Sequence, residues 1–119
     1  MTLEDRMKEW VISRIGVEHM NPRERAMRLL EEAIELAQAE GVSEGQVTAQ
    51  ARHVFNRPAG DPESEAGGVA VCLLAWCASR EKYLQVLAEL EMDRIESKPV
   101  DQIRGSVARK QDSDLVTCI

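Results

Sequence analysis

The sequence predicts an all-α fold, a compact bundle of four to five helices, and three observations lead there. Helix-starting and helix-stopping residues recur along the chain, whereas the alternating patterns of strands hardly occur. The 44% hydrophobic fraction rests on Leu, Ile, Val, Ala and Met, with one Phe, one Tyr and two Trp, a mixture that favours helices over a β-sandwich. A length of 119 residues is near the usual size of one domain. One domain is therefore expected over residues 1–110, with a polar tail at 111–119. No internal repeat, low-complexity run or interdomain linker interrupts it.

The elements follow in order. Thr2 with Asp5 forms an N-cap pair, after which Leu3, Met7, Trp10, Val11 and Ile15 recur at helical spacing until Gly16, predicting a helix over 3–15. Asn21-Pro22 with Glu24 supplies an N-cap, a proline at the first helical position and a capping-box acid, and Gly41 supplies the stop, so a helix is expected over 22–40. Ser43 with Gln46 opens a shorter helix through Val47, Ala51, Val54 and Phe55 that ends before Pro58. Asp61-Pro62 starts a fourth helix running to about Ser79; its interior, Val69 to Cys77, is apolar on every side and is expected at the centre of the bundle. A fifth, from about Lys82 to Ser97, carries Tyr83, Val86, Leu87, Leu90 and Ile95 before Pro99.

Charge and cysteine usage exclude several functions. A net charge of −6 argues against nucleic-acid polymers, whose binding relies on clustered Lys and Arg. No run approaches the ~18 apolar residues of a membrane span. The start MTLEDRMKEW is too charged for a signal peptide. A cytoplasmic protein without a membrane partner is expected. Cys72, Cys77 and Cys118 form no CxxC pair, which disfavours structural zinc and a disulfide framework. His19 and His53 lie far apart and read as structural or surface residues, Trp76 reads as core, and Trp10 is open between core and a base-stacking role.

The chemistry concentrates in RLLEEAIELAQAEG, residues 28–41. At ~100° per residue, Leu29, Leu30, Ala33, Ile34 and Ala37 share one face, Glu24, Glu31 and Glu35 the opposite one, and Glu32 falls beside the apolar edge. Glu32 and Glu35 stand on neighbouring turns, where their carboxylates can converge on one ion. Mg²⁺ suits such oxygen donors and keeps waters that a phosphate can replace. The alternative is a solvated acidic face relieved by Arg25 and Arg28. Glu65, in the first turn of the fourth helix, would add a third carboxylate if that helix lay antiparallel to the second, a recurrent way of building a metal site in a bundle.

Glu31-Glu32-Ala-Ile-Glu35 resembles the EExxE element of the all-α nucleoside triphosphate pyrophosphohydrolases of the MazG-like superfamily, and Glu65 falls where their second element, ExxD, begins. The likeness covers residues 22 to about 98. The block RPAGDPESEAGGV, residues 57–69, resembles short, phage-associated members in which glycine, here Gly68, stands at the ExxD aspartate position.

The resemblance implies a helical bundle forming a homodimer or homotetramer. It also implies a Mg²⁺-dependent reaction, with Mn²⁺ as an alternative, that splits a nucleoside triphosphate between the α and β phosphates. By position, Glu32, Glu35 and Glu65 would be metal ligands, Glu31 a further ligand or the group orienting the attacking water, and Arg94 and Lys98 contacts to the triphosphate. Arg94 and Lys98 equally suit the negative end of a helix dipole. The loss of an anionic ligand at Gly68 leaves three outcomes: water, Asp61 or Glu63 completes the shell; fewer metals are used; or nucleotide is bound without efficient hydrolysis.

Overall fold

In the computed structural model, which describes residues 1–99, five α-helices follow one another: α1 (Leu3–Arg14), α2 (Pro22–Ala39), α3 (Glu44–Phe55), α4 (Pro62–Ser79) and α5 (Leu84–Glu96). A single 3-10 turn, Val17–His19, joins α1 to α2, and no strand occurs among the described residues. The all-α class is thus what the structure shows, and each helix begins and ends within about two residues of its expected span. The expected domain end at 110, the tail 111–119 and Cys118 lie outside the described residues.

The helix starts are built from the residues that signalled them. Thr2 and Asp5 form a reciprocal capping box, the Thr2 hydroxyl accepting from the Asp5 amide at 3.0 Å. Asn21 accepts from the Glu24 amide at 2.9 Å and Asp61 from the Ser64 amide at 3.0 Å, each followed by proline in the first turn. The helix ends are less uniform. α2 stops in a Schellman motif: Gly41 adopts φ +86°, its amide donates to Gln38 at 3.0 Å, and the Val42 amide donates to Ala37 at 3.0 Å. α4 stops in the same motif, but the left-handed position is held by Glu81 at φ +56°, with the Lys82 amide donating to Cys77 at 2.8 Å and the Glu81 amide to Ala78 at 3.1 Å. No glycine marks that turn in the sequence.

The described residues divide into two compact units, one formed by Met1–Ser43 with residues 94–99, the other by Glu44–Asp93. In the first, Trp10, Val11 and Ile95 are buried. Two arginines of α1 hold the end of α5: Arg6 pairs with Glu96, while Arg14 donates to the Glu96 and Lys98 carbonyls, each at 3.2 Å. Glu96 is the last residue of α5 and Lys98 lies just beyond it, where carbonyls have no partner further along the helix, so the guanidinium satisfies them and complements the helix dipole. The 3-10 turn is fixed to α2 by His19 Nδ1, 2.8 Å from Glu24 Oε2, and by Asn21 Nδ2 donating to the Glu18 carbonyl at 3.0 Å.

The second unit departs from expectation. α4 was expected at the centre of a core, yet only Cys77 is buried along it; Leu73 and Trp76 are half-buried and the rest is exposed. Arg80 lies over the Trp76 ring, 6.0 Å from its centroid. Continuous apolarity dictates that a helix be covered but not by what, and most of its residues are exposed among the described residues.

Candidate carboxylate site on the second helix

The middle of α2 carries the residues to which the sequence assigned the chemistry. Asn21 and Pro22 fix the start of the helix, and with it the angular positions of Glu31, Glu32 and Glu35. Glu32 and Glu35 are exposed and Glu31 is half-buried. The arrangement is not a bare acidic row. Arg28 reaches forward along the helix and clamps two of the three: its Nη1 lies 3.0 Å from Glu31 Oε2, and its Nη2 pairs with Glu32. This is the i,i+3 and i,i+4 relief of like charge that the alternative reading of this face invoked. The Arg28 side chain is 19% exposed, and its Nε is buried with no hydrogen-bond partner.

Glu65 stands in the first turn of α4, exposed, in the second unit. Its carboxylate folds back over the preceding loop: a Cβ added at Gly60 would meet Glu65 Oε1 at 2.6 Å. Gly60 therefore gives the acid room to lie against the backbone. A Cβ added at Gly68 meets nothing within 4 Å. No atom of the Asp61 or Glu63 side chain lies within 4 Å of that point. Asp61 is instead engaged as the α4 N-cap.

Arg94 lies in the last turn of α5, exposed. Lys98 follows the helix and is half-buried; its amide donates to Ile95 at 3.2 Å and its carbonyl accepts from Arg14. Trp10 is 3% exposed with its indole Nε1 buried and unpartnered, so stacking on a base would require it to leave the core. His19 is structural, through Glu24, and His53 is exposed on α3 beside a surface depression of about 700 Å³ lined also by Glu44, Thr48, Arg52 and Asn56.

Within the described residues no three His, Cys, Asp or Glu side chains are gathered as a protein-only metal cage requires. Carboxylate oxygens, however, are the hard donors Mg²⁺ prefers, and that ion is commonly held by one or two of them with waters and substrate phosphates completing the shell. Exposed Glu32 and Glu35, one turn apart, fit that lesser requirement. The sequence reasoning foresaw that Arg28 relieves the acidic face but missed the arginine pair Arg6 and Arg14 on α5. No signal in the sequence joins residues so far apart.

No family model matches the chain, and comparison with curated proteins and with solved structures finds no match. Among the described residues no helix is long and apolar enough to cross a membrane.

Proposed function

We propose that this chain is a MazG-like, Mg²⁺- or Mn²⁺-dependent nucleoside triphosphate pyrophosphohydrolase of the short phage-associated type. It would act in the cytoplasm as a helical homodimer or homotetramer and yield a nucleoside monophosphate and pyrophosphate. The observation that carries the reading is the glutamate row of α2 in EExxE order, with Glu32 and Glu35 exposed; the exposed Glu65 in the first turn of α4 supplies the second acidic element. In this reading Glu32, Glu35 and Glu65 hold the cation, Glu31 orients the attacking water or adds a ligand, and Arg94 and Lys98 meet the triphosphate. A bound divalent cation neutralises charge on the phosphates and favours in-line attack by water. Pyrophosphate release by the purified protein, measured over a nucleotide panel with Mg²⁺ or Mn²⁺, tests this; silence across the panel overturns it. Glu35→Gln and Glu65→Gln should each abolish turnover while leaving helicity intact.

A second reading, a nucleotide-binding or regulatory protein of weak catalysis, is favoured by the open surroundings of Gly68. Calorimetry would then register nucleotide or metal binding without turnover, and Gly68→Asp would bring a large gain in hydrolysis. Absence of a gain favours the first reading.

A further inference from the structure

Arg28 and Glu35 stand two turns apart on nearly one line along α2, with Glu31 and Glu32 between them to either side. Arg28 is the one cationic side chain of these four, and its guanidinium rests on two of the acids: Nη1 lies 3.0 Å from Glu31 Oε2, and Nη2 is paired with Glu32. At 19% exposed, the Arg28 side chain is more enclosed than Glu31 at 32% or Glu32 at 54%. The pairing leaves one donor over. Nε is buried without an acceptor, and a buried N–H with no partner costs free energy that another placement of the guanidinium recovers.

We propose that Arg28 is a phosphate-binding residue that waits on Glu31 and Glu32 in the free protein and passes to the triphosphate once a divalent cation has engaged those carboxylates. The inference rests on the hydrolase reading above for the cation and the nucleotide, and adds to it a residue and an order of binding.

Charge sets the order. Glu31, Glu32 and Glu35 outnumber the one guanidinium beside them, so a triphosphate approaching this stretch of α2 alone is repelled. A divalent cation reverses that balance on the same oxygens, and Arg28 then loses its hold on them. Arginine suits the second role, because its planar fork donates two parallel hydrogen bonds to a phosphate and Nε–H is one of the donors available to that fork. The donor left over against Glu31 and Glu32 thus gains an acceptor. One guanidinium cannot serve both sets of acceptors, so cation and nucleotide are coupled through it. If Arg28 only relieved like charge along the helix, removing it would help the cation and, through the cation, the nucleotide.

Titration calorimetry at saturating Mg²⁺, with a nucleoside triphosphate whose α–β bridging oxygen is replaced by methylene, tests this. Arg28→Gln should weaken binding of the analogue by about 10- to 100-fold, the loss of a bidentate charge-assisted contact, while circular dichroism stays helical and affinity for the cation alone does not fall. With Mg²⁺ removed by chelation, the unaltered chain and the variant should both bind the analogue weakly and alike. Arg28→Lys keeps the charge without the fork and should fall between the two. In NMR spectra of the unaltered chain the Arg28 Nε–H proton should move downfield when the Mg²⁺-bound analogue is added. An Arg28→Gln chain that binds this complex as tightly as the unaltered chain, or more tightly, overturns the inference and leaves the hydrolase standing. A loss of equal size without Mg²⁺ also overturns it, since the guanidinium would not then be waiting for the cation. Failure of the unaltered chain to bind the analogue at all sinks both. A large loss confined to Mg²⁺, in a chain that releases no pyrophosphate, keeps Arg28 in this role and removes the hydrolase.

Discussion

Arg28 Nη1 lies 3.0 Å from Glu31 Oε2, and the other terminal nitrogen of the same guanidinium is paired with Glu32. Glu32, assigned to the cation, and Glu31, assigned to the attacking water or to a further ligand, are therefore already paired with a side chain of their own helix, and a divalent ion must compete with it. Arg28→Gln should tighten Mn²⁺ binding by severalfold, measured by titration calorimetry on the protein without nucleotide, at a stability cost of only about 0.5–1 kcal/mol for two partly exposed helix pairs. Unchanged or weaker Mn²⁺ binding would show that the ion does not use these oxygens.

Glu81 occupies a left-handed position, φ +56°, at the end of α4, where a residue with a Cβ costs about 1–2 kcal/mol relative to the right-handed region. Glu81→Gly keeps the Schellman hydrogen bonds and removes that strain, although glycine also gains freedom in the unfolded chain. The net expectation is a stabilisation of about 1 kcal/mol, read as a higher urea midpoint with an unchanged slope.

Arg14 bridges α1 to carbonyls 82 and 84 residues away. Arg14→Met keeps much of the aliphatic stem and leaves those acceptors to water or to nothing, so unfolding free energy should fall by about 1–3 kcal/mol. Hydrogen exchange at the last turn of α5 should accelerate more than exchange in α3. Equal acceleration in both would assign Arg14 a diffuse role instead of a cap.

Gly68 sits inside a helix with open space where a Cβ would be. Gly68→Ala should raise the stability of the helix by up to ~1 kcal/mol, provided that nothing approaches it. Thermal melts of the two chains read this. A destabilised variant would contradict the open surroundings of Gly68.

Local structure was legible where single residues act as punctuation. Asn21-Pro22-Glu24 and Gly41 delimit α2 because capping and left-handed geometry depend on a few neighbouring atoms, and the helix folds as those residues say. The end of α4 was placed from spacing alone, since its turn is held by Glu81 and no residue type announces it. The salt-linked closure of Arg6 and Arg14 on the end of α5 is a long-range match between ordinary surface residues and left no pattern to read. The carboxylates of α2 were legible as a row, together with the relief by Arg28, because helical spacing alone decides which side chains meet. The burial of α4 was misjudged for a different reason: apolarity measures aversion to water and carries no address for the surface that relieves it.

The unit that contains Trp10, Val11 and Ile95 is assembled from both ends of the chain, with all of Glu44–Asp93 inserted between its parts. During synthesis from the N-terminus, α1 and α2 leave the ribosome long before Glu96 and Lys98 exist, while the inserted unit is contiguous and can form as soon as it emerges. Closing the long loop between Arg14 and its carbonyl partners is thus the late step. A chain that stops before α5 would lack Ile95, one of the three buried residues of that unit, and the carbonyls to which Arg14 donates, so its two N-terminal helices would stay open until synthesis is complete.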